Sequence, residues 1–506
     1  MPYAERHPFE PDARFDGGDL DCGNGLLLLI RQHIDPLVPG QLLEFSSTEI
    51  SVEEDFPAWC RMTGNELVSM TRRDRQRSFL VCKGPLSARD ARRRAPLPAA
   101  VAARAVVPVH VPATLPPPAP VAAIPPLAVM GIGSWPRPRW MLAAIHDHIE
   151  GRLSDKEFAA TAEDATRLAV DAQLRAGVDV VTDGEQRRDN YASFVGGRLD
   201  NCQLIPLTDL LPLVDDPAKF EAEMQSLDVP AAQVRHPALF GPLGRSRPLA
   251  VHELAAVRAV TDRPVKVALP GPYLLTRIMW MECISDRAYR SREHLAEDVV
   301  RVLREEIAFL LAAGAVLVQL DEPVLSEVVF TGAKNARSFM CGALSEKGDA
   351  ASELDFATRL INAVVAGLPR ERLALHVCRG NWSRDESAAL SGDYRPLLGV
   401  FQRLTVGTLM LETSTPRAGD LAVLKDLPAT VRLGVGVVNQ KREDVEPVAD
   451  IVARARRAID LVGADRVLLT PDCGFATFAD NPVASARVAE GKLRAIVEAA
   501  AELRKG

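Results

Sequence analysis

The sequence predicts an α/β protein: a (β/α)8 TIM barrel preceded by a small α/β two-layer domain. Three observations predict it. From Leu127 onward, short apolar runs alternate with longer helical stretches, the pattern of strands and helices around a parallel sheet. Eight such runs are found, and eight β/α units close into a barrel. Ahead of them, Pro96 to Pro126 holds ten prolines set mainly among Ala and Val, which divides a shorter N-terminal region from the rest.

The N-terminal domain is expected over residues 12–88. Gly25–Ile34 reads as an apolar helix opened by a Gly-Asn-Gly turn, and Leu42–Phe45 as a strand. Asp55–Thr63 reads as a second short helix, with Leu67–Met70 and Ser78–Cys82 as final strands. With one strand before the first helix, the order is β-α-β-α-β-β. Residues 91–126 follow as a Pro/Ala-rich linker, since proline removes backbone donors and favours extended chain. The alternative is a strap packed along the barrel, for which the Val and Ile residues are suited.

The barrel is expected over residues 127–503. Its strands end at Gly-Ser134, Gly-Glu185, Leu-Pro-Gly271, Leu-Asp321, His376-Val-Cys378, Leu-Glu412, Gly436-Val-Val and Pro-Asp-Cys473. Helices are expected between most of them, Ser291–Ala313 among them, and Pro482–Leu503 follows the last. The second and third strands lie far apart, so an insertion is expected at about Arg187–Arg263, as a lid or substrate wall.

Bulk composition narrows the function. Apolar residues make up 47% of the 506 residues, enough for a sizeable core, and charged residues 25%. A net charge of −7 argues against a general nucleic-acid binder. The start, MPYAERHPFEPD, does not read as a secretory signal, and the apolar run around Ile307–Leu320 is too short to span a membrane. Eight cysteines in so long a chain do not make a dense disulfide framework, so free thiols or metal ligands are the better reading. A cytoplasmic protein is expected.

The chemistry-bearing residues gather at the strand exits, where barrel enzymes build their sites. Ser134, Glu185, Asp321, His376, Cys378, Glu412 and Cys473 all fall there. His376 and Cys378 are two apart, so on a strand they share one face. With Glu412 and Cys473 from other strand ends they make a ligand set of one His, one carboxylate and two thiolates. Soft sulfur favours Zn2+ over magnesium or calcium. The alternative is that these are packed core residues, as a lone buried Cys usually is. For Glu185 and Asp321 the alternative is ion pairing with Arg187 or Arg188.

Met130-Gly-Ile-Gly-Ser-Trp135, Gly184-Glu185, Gln319-Leu-Asp-Glu-Pro323, Leu375-His-Val-Cys378, Leu411-Glu-Thr-Ser414 and Pro471-Asp-Cys-Gly474 together resemble the catalytic barrel of cobalamin-independent methionine synthase. Its wider superfamily includes epoxyalkane:coenzyme M transferases. The resemblance implies zinc held by His376, Cys378, Glu412 and Cys473. It implies that Ser134, Glu185 and Asp321 hold the carboxylate and amino group of homocysteine. The implied reaction is methyl or alkyl transfer to that thiol or a related one, giving methionine or a thioether. A free thiol is only a few per cent ionised at neutral pH, and metal binding deprotonates it. Glu412 is the ligand expected to weaken when the thiol arrives.

Three departures from the resemblance bear on the methyl donor. Full-length methionine synthases carry a second, N-terminal barrel, and the region before residue 127 is too short for one. The acid and histidine proposed to protonate the leaving folate correspond to Asn439 and Lys441. Lys441 serves as a general acid only if its pKa is lowered; the alternative is a surface lysine or an anion contact. At the folate-site tryptophan stands Ile278, with Trp280 two residues on. Methyl-folate, a methylated corrinoid, an epoxide and a small methylated metabolite all stay open as donors.

Leu20-Asp-Cys-Gly-Asn-Gly-Leu26, Asp55-Phe-Pro-Ala-Trp-Cys60 and Gly64-Asn-Glu-Leu-Val68 resemble the small TusA/SirA-like sulfur-carrier domains. Cys22 matches the persulfide position of their Cys-Pro-x-Pro motif, with Gly23 and Gly25 replacing both prolines. At a helix N-terminus Cys22 is expected to favour a thiolate or persulfide. This implies a second function: a sulfurtransferase partner loads Cys22, and the linker carries its sulfur to the zinc mouth for carbon–sulfur bond formation. A third is a sulfur- or zinc-binding regulatory protein with an inactive barrel.

Overall fold

The computed structural model describes residues 2–22, 25–89, 114–213, 234–281, 285, 288–330, 348–381, 384–478, 481–482 and 484–505. The N-terminal elements are β1 (Ala13–Asp16), α1 (Leu26–Ile34), β2 (Leu42–Ser47), α2 (Val52–Thr63), β3 (Glu66–Arg73) and β4 (Gln76–Cys82). The four strands form one sheet in the order β1-β2-β4-β3, with β1 parallel to β2 and the other pairs antiparallel. Leu26, Ile30 and Ile34 of α1 and Phe56 and Trp59 of α2 pack against Leu43, Phe45, Phe79 and Val81 of the sheet. Apolar spacing of three to four along each helix meets apolar alternation along each strand, so both faces enter one core. α2 starts three residues before its expected place, because Glu53, Glu54 and Asp55 suit the first turn of a helix.

The barrel strands follow the exits read from the sequence. β7 (Lys266–Pro270), β8 (Leu317–Asp321), β9 (Leu373–Val377), β10 (Thr408–Leu411), β11 (Arg432–Val438) and β12 (Val467–Pro471) form a parallel sheet in sequential order. The remaining two staves pair only at single bridges, Val129 with Leu469, Met130 with Val180 and Val181 with Val265, and these close the ring. Residues of β7–β10 and β12 are buried throughout, as expected of strands covered on both faces.

Helices form the outer layer: α3 (Arg139–Ile149), α4 (Asp155–Ala176), α5 (Val251–Arg258), α6 (Pro272–Met279), α7 (Arg292–Ala312), α8 (Val324–Phe330), α9 (Ala350–Val365), α10 (Arg395–Arg403), α11 (Val448–Val462) and α12 (Ala486–Leu503). Their starts are capped where the sequence offers a hydroxyl or acid: Ser154 with Glu157, Ser291, Asp349 and Ser485. Among the described residues no helix is long and apolar enough to cross a membrane.

Part of the proline-rich stretch is a strap, where the sequence led us to expect a linker. Residues 90–113 lie outside the described residues, but 114–126 run under the barrel. Val121 and Ile124 pack against Ala128, Val180, Leu317, Ala374 and Leu468, at the N-terminal ends of the strands. Ala119 donates its amide to the Leu311 carbonyl, and its own carbonyl accepts Arg372 Nη1 at 2.6 Å. Proline leaves few backbone donors to satisfy, so an extended segment can lie on apolar surface at little cost. The strap therefore lies at the end of the barrel opposite the strand exits.

Within the insertion, β5 (Asp200–Pro206) pairs antiparallel with β6 (Arg235–Gly244); residues 214–233 are outside the described set. This hairpin meets the N-terminal domain. Arg31 of α1 pairs with Asp209 at 2.6 Å, and Gln203 of β5 donates to Asp35 Oδ2 at 2.8 Å.

Candidate metal centre

The structure brings Cys378, Glu412 and Cys473 to one point, their ligand atoms all within 4.8 Å of one another. Cys378 follows β9, Glu412 follows β10 and Cys473 follows β12, so adjacent parallel strands deliver all three to the C-terminal mouth. The two sulfurs are 3.5 Å apart. A tetrahedral ion with bonds of ~2.3 Å to sulfur sets its ligands about 3.8 Å apart, so the spacing fits zinc. Contact with Cys378 and then burial hold the Cys473 thiol well above its ordinary range, a strain that a bound cation relieves.

His376 lies outside that trio, two residues back along the face that carries Cys378. Its Nδ1 is 2.9 Å from Asp321 Oδ1, and its Nε2 is buried without a hydrogen-bond partner among the described residues. A carboxylate on one ring nitrogen and a bare second nitrogen is the arrangement of a histidine oriented for a metal. The chemistry of the trio's donors fits a zinc ion, and the orphaned imidazole nitrogen is of a type that could add a ligand.

Glu412 is held on both oxygens by other groups. Its Oε1 accepts the Arg379 amide at 2.7 Å, and its Oε2 faces Arg417 Nη2 at 3.7 Å. Asp472 fixes the loop beside it: Oδ1 accepts the amides of Thr413 and Ser414 at 2.9 and 3.0 Å.

Ser134, Glu185 and Asp321 border the same mouth. A Cβ at Gly474 would lie 2.1 Å from Ser134 Oγ, and one at Gly133 would lie 2.2 Å from Glu185 Oε1. Only glycine allows both close approaches, which bring the first strand exit against the second and the eighth. Glu185 adopts φ +54°, a conformation uncommon for a residue with a side chain. Burial pushes its carboxyl up to about 7, against the pull of Arg188. Its Oε2 is buried with no partner among the described residues. The ion-pair alternative is weak here, since Arg188 stands 3.9 Å from Glu185 and is engaged with Glu253 at 2.6 Å. Arg187 faces Glu163.

Two residues not among the predicted site residues, Lys266 and Gln319, tie this pocket to His376. Lys266, fully buried in β7, donates to the Ile132 carbonyl and to Gln319 Oε1, each at 2.6 Å. Gln319 Nε2 in turn donates to Asp321 Oδ1 at 2.7 Å, and Asp321 meets His376. Burial brings the Lys266 ammonium down to about 7, with Asp321 and Glu185 opposing. The signal was legible: a lysine in the otherwise apolar Val-Lys-Val-Ala-Leu run must point somewhere polar.

Lys441 is buried, which overturns the surface-lysine alternative. Burial lowers its pKa, while Glu412 and Cys378 act to raise it, so it stands near the metal-capable trio. Asn439 accepts the Lys441 amide at 3.0 Å and donates to Glu386. Trp280 and Ile278 are both buried in the apolar core. Cys22 is also corrected: it is buried, and burial, followed by Asp55 and Asp21, pushes its thiol up to about 12. The desolvation cost of a buried charge outweighs the favourable helix terminus.

A closed β/α barrel with a sulfur-and-carboxylate cluster in its C-terminal mouth defines a class of metal-capable barrel enzymes. Residues 127–502 match the family described as the catalytic domain of cobalamin-independent synthase, and the chain belongs to that family. It is a methyltransferase. A methionine synthase of Saccharolobus solfataricus is 25% identical over 377 residues, covering 74% of this chain and 94% of that protein. One from Thermococcus kodakarensis is 26% identical, covering 68% and 85%. A solved B12-independent methionine synthase from Shewanella sp. W3-18-1, in complex with selenomethionine, shares the fold, with a TM-score of 0.57, 22% identity and coverage of 75% and 98%. A match to 94% of the Saccharolobus protein leaves no room in it for a second barrel.

Proposed function

We propose that this protein transfers a methyl group to homocysteine, or a closely related thiol, at a zinc ion held by His376, Cys378, Glu412 and Cys473. The observation that carries this reading is the meeting of Cys378, Glu412 and Cys473 at one point. Zinc bound there supplies deprotonation of the acceptor thiol at neutral pH. Asp321 orients His376 through Nδ1, and Lys266 and Gln319 orient Asp321. Glu185, Asp321 and Ser134 form the pocket for the amino and carboxylate groups of the acceptor. Glu412 would be the ligand best able to give way to the acceptor, because Arg379 and Arg417 offer its oxygens other partners. Lys441, buried with a lowered pKa, serves as the proton donor to a leaving group that needs one.

We further read residues 12–88 as a sulfur-carrier-like domain, 91–126 as its connection and 127–503 as the catalytic barrel, acting in the cytoplasm. The β-α-β-α-β-β order with Cys22 ahead of α1 supports the first of these. Sulfur delivery from Cys22 is the second function, and it requires Cys22 to leave its buried position. The test is methionine formation from homocysteine by zinc-loaded protein, offered methyl-folate, methyl-corrinoid or a methylated sulfonium in turn. Turnover with any donor supports the reading; zinc binding with no turnover on any of them favours an inactive barrel.

A further inference from the structure

The first two barrel strands meet at one bridge, Met130 with Val180, so little backbone ladder ties their ends together. Beyond it, side chains do the tying. Thr182 Oγ1 donates to the Gly133 carbonyl at 2.9 Å, and the Trp135 amide donates to the Gly184 carbonyl at 2.9 Å. Gln186 Nε2 spans the same gap, donating to the carbonyls of Trp135 at 2.9 Å and Gly184 at 3.1 Å. Arg137 Nη2 completes the clasp by donating to the Glu185 carbonyl at 2.7 Å, which also accepts the Arg188 amide at 3.1 Å.

The clasp closes on a strained turn. Gly184 has φ +71° and Glu185 φ +54°. Glycine takes such angles freely, whereas a residue with a side chain takes them only where its surroundings hold it there. A Cβ at Gly184 would lie 2.7 Å from Trp135 Cβ, so the two loops are drawn as close as glycine permits. Of the three clasping side chains, Arg137 is the one bonded to Glu185 itself. It is buried, and burial lowers its pKa, while Glu185, Asp189 and Asp183 act to raise it and Arg188 to lower it. Those acids have few other cations to share. Arg188 is engaged with Glu253 and the Ala268 carbonyl, and Asp189 accepts the Ser193 hydroxyl. Asp183 Oδ2 and Glu185 Oε2 are buried with no hydrogen-bond partner among the described residues. Three buried acids on one turn repel one another, and a guanidinium among them offsets part of that repulsion. A glutamine at 137 would keep a hydrogen bond without the charge, and a lysine the charge without the planar fork.

We propose that Arg137 is a positioning residue for the acceptor: with Gln186 it fixes the left-handed turn at Glu185, and so presents the Glu185 carboxylate to the acceptor's ammonium group. The turn thereby selects acceptors that carry an amino group over those that carry an acid alone. Arg137 acts through Glu185, so the proposal rests on the reading of Glu185 as an acceptor-binding residue.

The test is calorimetric titration of L-methionine into the full-length zinc-loaded protein. Methionine has the amino and carboxylate groups of the acceptor without a thiol to titrate, so no methyl donor or turnover is needed. Arg137→Met is expected to weaken methionine binding at least about tenfold, the worth of a hydrogen bond to a charged group. Arg137→Lys, which keeps the charge, recovers most of that loss. The deaminated acid, methylthiobutanoate, binds wild type and Arg137→Met alike. In a Glu185→Gln background the further change Arg137→Met costs less than about twofold, because the two residues act as one unit. Gln186→Leu unties the same turn at Gly184 and gives the same amine-selective loss where Arg137→Met fails to fold. A loss of equal size on both probes, or in both backgrounds, overturns the proposal and leaves Arg137 a merely structural residue, while the acceptor reading stands. A wild type that does not bind methionine overturns that reading, and the proposal with it.

Discussion

Cys22 in the small domain and Cys473 in the barrel mouth are both buried, and both thiols are held above their ordinary range. Their surroundings differ. Cys22 lies in an apolar cluster with Leu26, Ile30, Phe56 and Trp59. Cys473 lies against a second sulfur and a carboxylate. Burial alone gives an inert thiol in the first place. In the second it concentrates ligand atoms whose mutual repulsion is relieved by a cation. The neighbours of a buried sulfur, more than its burial, decide what it can do.

The comparison is broken most severely at the mouth. Cys378→Ser or Cys473→Ser is expected to abolish methyl transfer and weaken zinc binding by more than about a hundredfold, because even outer partners of a metal are worth ~10–100-fold. Metal content by emission spectroscopy and methionine formation check this.

Lys441→Met is expected to slow transfer from methyl-folate by about a hundredfold or more, the usual worth of a general acid. A donor with a ready leaving group, such as a sulfonium, escapes the loss. The protonated lysine is the active form and its pKa is lowered. The wild-type rate therefore falls as pH rises through that lowered value, and the variant loses this limb of the profile.

Lys266→Met is expected to lower kcat by ~10–100-fold with the zinc content kept, since it disorients Gln319, Asp321 and His376 without removing a ligand. Glu185→Gln acts on acceptor binding. With its carboxyl raised to about 7, ionised Glu185 becomes available for the acceptor ammonium as pH rises through that value. The KM for homocysteine therefore falls over this range in the wild type and stays flat and about tenfold higher in the variant. The same shift has a sign for stability. A carboxyl protonated more readily in the folded state favours folding below the unfolded value of 4.5, and this contribution is lost as pH rises through about 7.

The smallest effect is expected at Cys22. Cys22→Ser leaves methyl transfer unchanged, whereas loss of product formation in this variant would transfer the chemistry to the small domain.

Much of this was legible in the sequence. The strand exits could be read because fully buried parallel strands are short apolar runs that end abruptly at polar residues, as Leu-Asp321 and Leu-Glu412 do. The first two barrel strands were read from the same runs although they pair at single bridges. The strap under the barrel was less legible, because a proline-rich segment has the same composition whether it packs or not. The burial of Cys22 escaped for a related reason: motif position places a residue along an element, and tertiary packing decides which way it faces.

The central claim is that the barrel mouth holds zinc and opens its shell to a thiol. Zinc K-edge absorption on the purified protein, before and after homocysteine, tests it most directly. The account predicts a shell of two sulfurs with nitrogen and oxygen that gains a third sulfur as the carboxylate oxygen of Glu412 leaves. Zinc whose sulfur count stays the same at saturating homocysteine, or protein that retains no zinc, would contradict it.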